Sequence, residues 1–438
     1  MESRPRDADL LVIHASELLT ARSAPGGARG SRPPLELITD GALAIRRGRI
    51  VAVGRTEGLL AQFAGAPVID AGHRLVTPGL IDVHTHLVHA GSRHDEWQST
   101  LRGQPSNDPL TTGIRSTVDR TTAASDEMLR TTAHRDLDVM LQHGTTTVEA
   151  KTGYGLFPTE ELRLLRLTAA LRHPIDIVPT FLAAHVLPAE YRDRRADYVR
   201  SVIESLPAAR AYAEYCDLAC DPSCFTVAEC REMATAATAL GYQLRIHGDQ
   251  TGPAGAAQLA ADLGAASVDH LDCVDAAGIA ALAGSQTVAV LVPGVTHHLI
   301  ELVPRMGPHG PAAPAKPWLP ETVRRLVDAG ACVALATDYN PGSSPMPSMQ
   351  TAMQLGARLF GLDYREAWLM STINAAHALG RDMDRGSLEP GKRADMLIWD
   401  VPEHGMAIHR FGVNLVRTVL KDGIVVVDDG RQVVGTEP

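Results

Sequence analysis

Two histidines one residue apart, His84 and His86, close an apolar run that begins at Leu80. On an extended strand, residues i and i+2 point to the same face. Two imidazoles therefore project together from the end of a buried strand, which suits a divalent metal with nitrogen ligands. Other apolar runs along the chain also end in polar residues. One gives Glu149, Lys151 and then Tyr154; others give His185, His247 and His270; the last gives Asp338, with Asn340 just beyond. One such histidine is as readily structural. Five of them with an aspartate point jointly to metal and catalysis.

The chemistry follows from the ligand types. His84, His86, His247 and Asp338 supply three neutral imidazoles and one carboxylate, leaving a coordination position for water. One Zn²⁺ or Fe²⁺ held there lowers the pKa of its water to about 7. Asp338 can hold the metal and accept the water proton. His270 or His185 can donate a hydrogen bond to a carbonyl oxygen as negative charge builds there. The expected reaction is hydrolysis of a C–N bond, and this ligand set does not select Zn²⁺ over Fe²⁺. Lys151 has two readings: carbamylated and bridging two metals, or paired with Glu149 or Asp82. Pairing is preferred, which leaves a single metal.

These residues need strands that end together. Apolar runs recur at Leu80–His86, Thr145–Lys151, Asp176–His185, Tyr215–Asp221, Tyr242–Asp249, Ala266–Leu271, Thr287–Gly294 and Cys332–Asp338. Amphipathic stretches such as Thr159–Leu171 and Val227–Leu240 separate them. Strand and helix in alternation imply a parallel sheet covered on both faces. Eight such units fit a (β/α)8 TIM barrel, whose active site lies at the C-terminal strand ends; a doubly wound open sheet is the alternative. The two chain ends read differently. Asp9–His14, a hairpin over Gly41–Gly54 turning near Arg47-Gly48, Ala394–Asp400 and Gly423–Asp428 are strands without intervening helices, and 24–34 is a Gly/Pro-rich loop. The expectation is a small β-sandwich domain built from 1–76 with 381–438, and a barrel over 77–380.

A formal net charge of −10 argues against nucleic acid or an anionic membrane as partner. No apolar run approaches the roughly 18 residues that span a bilayer, and the N-terminus lacks the apolar core of a signal peptide. A cytoplasmic location is expected. Cys216, Cys220, Cys224 and Cys230 match neither zinc nor iron–sulfur spacings, so they read as reduced, partly buried thiols.

The His-x-His pair, the later histidines, the final aspartate and the segment 386–395 resemble the amidohydrolase superfamily. Segments 84–93, 147–156, 179–185 and 336–344 are more specific and resemble the imidazolonepropionase family over nearly the whole chain. That resemblance implies opening of 4-imidazolone-5-propanoate to N-formimino-L-glutamate in histidine degradation, by a cytoplasmic homodimer acting on a small, carboxylate-bearing substrate. It implies that Arg93 binds the propanoate carboxylate, for which a guanidinium fork is suited. Tyr154, His185 and Asn340 would contact the ring, and Gln250 the substrate or the metal water. Gln250 cannot act as a base, which places proton transfer on Asp338 and the histidines.

Two loops depart from the family pattern. Residues 103–113 lack the tyrosine and glycine-rich turn usual there, and 296–320 is longer and richer in proline. Both would sit at the barrel mouth. They leave open the same chemistry on a different cyclic amide, or a deaminase of the same superfamily, though Gln250 counts against the latter. A barrel that only binds is disfavoured by the intact histidine and aspartate set.

Overall fold

The computed structural model describes residues 8–24, 26–102, 104, 113–300 and 319–433. Most of the two divergent loops, residues 103, 105–112 and 301–318, lies outside the described residues.

Eight strands form one parallel sheet in strictly sequential order: Leu80–Asp82, Thr145–Lys151, Asp176–Ala184, Tyr215–Cys220, Gln243–Gly248, Ser267–His270, Val288–Leu291 and Val333–Leu335. Sequential order identifies a barrel, because a doubly wound sheet would reverse direction partway. The segments after the first and last strands meet at the rim, where Thr85 bridges Tyr339 and the His86 amide donates to the Tyr339 carbonyl at 2.8 Å. The strand Thr145–Lys151 is buried along its whole length, including Glu149 and Lys151. Its threonines and valine suit a pleated, doubly covered surface.

Helices return the chain between strands. Pro158–Ala170 starts with proline in its first turn, where a missing N–H costs nothing. Val227–Ala239 starts on a capping box: Thr226 accepts from the Glu229 amide and Glu229 accepts from the Thr226 amide. Between the first two barrel strands lie three helices, His94–Leu101, Ile114–Ala123 and Asp126–Gln142.

Both chain ends contribute to a separate nine-stranded, largely antiparallel sheet. The hairpin is formed by Leu37–Arg46 and Arg49–Arg55, turning at Arg47 (φ 51°) and Gly48 (φ 72°). Two positive φ values are what a two-residue turn matching strand twist requires. Leu10–Leu19 runs longer than the sequence pattern suggests, and Val76–Pro78 joins Met396–Trp399 in this sheet. Residues from the two halves, Leu43 and Ile45 with Met396 and Ile398, share one hydrophobic core.

Four expected site residues lie beyond the ends of their strands. His84 and His86 follow the end of the first strand at Asp82, His185 follows Ala184, and Asp338 lies three residues beyond Leu335. The chain leaves the ladder there because these side chains turn inward to meet one another.

Candidate metal centre

The rim segments hold unusual backbone. Asp338 (φ 49°), His270 (φ 80°), Leu271 (φ 62°) and Asp249 (φ 51°) all adopt left-handed conformations without being glycine. Such strain persists only where the surroundings over-determine it, and it clusters at functional sites.

Here it brings the ligand types together. Ring or carboxylate atoms of His84, His86 and His247 lie within 4.8 Å of one another, as do those of His84, His270 and Asp338. Asp338 Oδ1 is 3.4 Å from His84 Nε2 and 3.8 Å from His86 Nε2. All these side chains are buried.

Each imidazole is oriented through its Nδ1. His84 Nδ1 donates to Asp269 Oδ2 at 2.6 Å, His247 Nδ1 to Asp217 Oδ1 at 3.0 Å, and His86 Nδ1 to the Thr152 carbonyl at 3.0 Å. The partners being acceptors, these hydrogen bonds assign the proton to Nδ1 and leave the Nε2 lone pair free. His84 Nε2, His247 Nε2 and Asp338 Oδ1 are buried and have no hydrogen-bond partner among the described residues. Buried polar atoms left unpaired cost about 1–3 kcal/mol each. His84 is common to both groups of ligand atoms, with His247 in one and Asp338 in the other, and either group can hold a divalent cation.

Electrostatics agree. Burial, with the charge of Lys151, holds His84 well below the ordinary imidazole range, and burial with neighbouring His185 does the same for His86. Both are neutral, as a ligand must be. Burial likewise pushes His185 down to about 4 and His270 to about 3. Burial pushes Asp338 up to about 7, against the pull of His247.

The other residues expected at the site fall as follows. His185 stacks on His86 with centroids 5.0 Å apart, and its Nδ1 donates to the Gly153 carbonyl at 2.9 Å. A Cβ at Gly153 would come within 2.8 Å of that Nδ1, so the contact needs glycine. His185 therefore presents an acceptor at Nε2, and its ability to donate, expected from sequence, is spent on Gly153. His270 Nδ1 is buried and has no hydrogen-bond partner among the described residues. Tyr154 is buried with its ring 5.0 Å from that of His86. Arg93 lies against Gly342, where a Cβ would meet its Nη2 at 1.4 Å, and its buried Nε lacks a partner among the described residues.

Asn340 closes on its own turn. Its Nδ2 donates to the Asp338 carbonyl at 2.7 Å and to Ser343 Oγ at 3.1 Å, while its Oδ1 accepts from the Gly342 and Ser343 amides, each at 2.9 Å. It shapes the turn that carries Asp338 and packs Gly342 under Arg93. Gln250 is half-buried after the fifth strand, with its amide held by Asp221 at 2.9 Å.

Lys151 does pair with Glu149, at 3.4 Å, but also with Asp217 at 2.9 Å and Asp269 at 3.3 Å. Asp82 pairs elsewhere, accepting from Thr337 Oγ1 at 2.6 Å. Asp217 and Asp269 were missed by the sequence reading. The available sign was an aspartate inside an otherwise apolar buried strand, Tyr215–Cys220, and another directly before His270. Glu161 was missed too. It accepts from the Gly153, Gly155 and Leu156 amides at 2.7, 2.7 and 2.6 Å and so braces the loop of Tyr154. None of the six cysteines is in a disulfide, and Cys224 alone among them is not buried.

Residues 75–435 match the amidohydrolase family. The imidazolonepropionase of Geobacillus kaustophilus is 43% identical over 435 residues, covering 96% of this chain and 99% of that protein. The imidazolonepropionase of Bacillus velezensis is 38% identical, covering 97% and 98%. Among solved structures, a zinc-bound adenosine deaminase from Xanthomonas campestris superposes with a TM-score of 0.69 at 18% identity, covering 98% of this chain and 95% of that one. A triazine hydrolase variant superposes at 0.70 and 19% identity, covering 97% and 96%. At those identities the likeness shows the fold.

Proposed function

The chain belongs to the imidazolonepropionase family of amidohydrolases, and from that premise we propose that it hydrolyses the cyclic C–N bond of 4-imidazolone-5-propanoate to give N-formimino-L-glutamate. The observation that carries the reading is that His84, whose Nε2 is buried and unpartnered, groups with His86 and His247 on one side and with His270 and Asp338 on the other. One divalent ion, Zn²⁺ or Fe²⁺, held by His84, His86, His247 and Asp338, would supply an activated water and an electrophile for the substrate carbonyl.

The residues of this chain do the rest. Asp338, with burial raising its proton affinity, takes the proton from the attacking water and passes it to the leaving ring nitrogen. His270, neutral and with a free Nδ1, donates to the carbonyl oxygen as charge builds. His185 accepts a ring N–H at Nε2, since its Nδ1 is committed to Gly153. Tyr154 packs against the ring. Arg93 takes the propanoate carboxylate, the natural acceptor for its unpaired buried N–H. Asn340 holds Asp338 and Arg93 in register, and Gln250 contributes a hydrogen bond at the substrate.

We further read residues 77–380 as the catalytic unit, with 1–76 and 381–438 as its accompanying β-domain. The enzyme works as a cytoplasmic homodimer. No helix among the described residues is long and apolar enough to cross a membrane.

The test is turnover of freshly generated imidazolone propanoate by metal-loaded protein, followed as loss of ultraviolet absorbance. Rapid turnover with one metal per chain supports the proposal. A metal-loaded protein that leaves this substrate intact but opens a related cyclic amide would move the assignment to that substrate.

A further inference from the structure

Just inside the barrel from the three imidazoles, five fully buried ionisable side chains pack together: Lys151, Arg245, Glu149, Asp217 and Asp269. Unpaired, any one of them would be costly to bury. The arrangement is not a simple pairing. Lys151 Nζ is 2.9 Å from Asp217 Oδ2 and 3.3 Å from Asp269 Oδ2. The other oxygen of Asp217 receives His247 Nδ1, while the same oxygen of Asp269 receives His84 Nδ1. One ammonium thus ties together two carboxylates arriving from the fourth and sixth strands, and each carboxylate grips a different imidazole. Ser267 Oγ donates to Asp269 Oδ1 at 2.6 Å, and Arg245 anchors the layer to the Val83 carbonyl, immediately before His84, at 2.7 Å.

We infer that Lys151 is a positioning residue for the metal centre, acting as an unmodified ammonium that sets the separation and orientation of His84 and His247 through Asp269 and Asp217. This rests on the proposal that those imidazoles hold a metal. A carbamate on Lys151 would place a fourth anion beside three carboxylates within 3.4 Å of its nitrogen and would remove the cation that holds two of them together. The lysine therefore serves the centre from behind its ligands and does not bridge metals. Outer partners of ligating histidines fix tautomer and ring direction, and their loss typically weakens metal binding by about 10–100-fold.

The experiment measures Co²⁺ affinity, the Co²⁺ absorption spectrum and kcat against KM for the full-length protein. Lys151→Met is compared with Lys151→Met/Glu149→Gln, which removes one cation and one anion and so leaves the cluster's net charge unchanged should the single variant fail to fold. Asp269→Asn, which keeps the lysine, provides a third route. The expected result is one metal per wild-type chain, taken up equally in bicarbonate-containing and CO₂-stripped buffer. In the folded variants Co²⁺ affinity falls about 10–100-fold, the spectrum shifts, and kcat drops while KM stays close to that of the wild type. Uptake that depends on bicarbonate, or Lys151 variants with unchanged affinity and spectrum, would overturn the inference. If His84→Ala abolishes binding while the Lys151 variants bind normally, only this inference fails. A wild type that takes up no stoichiometric metal would sink the metal reading and this inference with it.

Discussion

Lys151 and Lys421 both sit among carboxylates, yet the two clusters differ in what else those carboxylates touch. Around Lys151 every member is fully buried, and Asp217 and Asp269 each spend an oxygen on an imidazole. Around Lys421, the ammonium contacts Asp176 at 2.8 Å and Asp395 at 2.7 Å, and Arg385 reaches Asp176 and Thr147 Oγ1. That second cluster lies where the terminal sheet meets the starts of the second and third barrel strands. Asp176 remains 35% exposed, and its ion-pair partners among the described residues are Lys421, Arg385 and Arg393. Burial of charge is common to both. What separates a site from a seam is whether the buried carboxylate also orients a group that faces the active centre.

The largest effect is expected where an acid is itself a ligand. Asp338→Asn removes ligand charge and proton acceptor together, and turnover should fall by about 10²–10⁴-fold or more with the circular dichroism spectrum intact; near-normal rates would break the mechanism. Next comes Arg93, a half-buried cation whose buried Nε has no partner among the described residues. Losing a charge-assisted hydrogen bond worth about 1.5–3 kcal/mol should raise KM for the carboxylate substrate about 10–100-fold in Arg93→Ala. An unchanged KM would show that the carboxylate, if present, is held elsewhere.

Asp217→Asn and Asp176→Asn set the two clusters directly against each other. Asp217→Asn should weaken metal binding by about 10–100-fold. Asp176→Asn should leave metal affinity untouched and lower the stability by about 1–2 kcal/mol in chemical denaturation, a figure reduced for its partial exposure. Equal effects of both on metal affinity would erase the distinction. The smallest effect is in the pH profile. Burial would raise the Asp176 carboxyl, but Lys421 and Arg385 hold it below its ordinary 3.8. A depressed folded value means that its contribution is present above 3.8 and is lost as pH falls through the folded value. Acid denaturation of wild type should therefore begin from a higher stability than that of Asp176→Asn, and the difference should close in strong acid.

Much of this was readable along the chain. The runs ending in His247 and His270 emerged as strands with those residues in them, the two amphipathic stretches became helices to within a residue, and the hairpin turned at Arg47-Gly48. These depend on local periodicity and turn stereochemistry, which neighbouring residues carry. Less readable were contacts between distant segments. Lys151 was legible as a strand-end lysine, but two of its three partners lie 66 and 118 residues away. Asn340 is legible as a polar residue just beyond Asp338, while the closure of its amide on its own turn is seen in the folded loop.

Local periodicity and donor chemistry were enough to place the residue types of a metal hydrolase, eight strand segments along the chain and the origin of a second sheet at both ends. The tertiary structure added the sequential order of those strands in one sheet, the free nitrogen of His84 and His247, the acceptor role of His185 and the carboxylates that stand behind the ligands. Those choices are made by hydrogen bonds across the barrel, where strands far apart in sequence bring their side chains into one water-excluded layer.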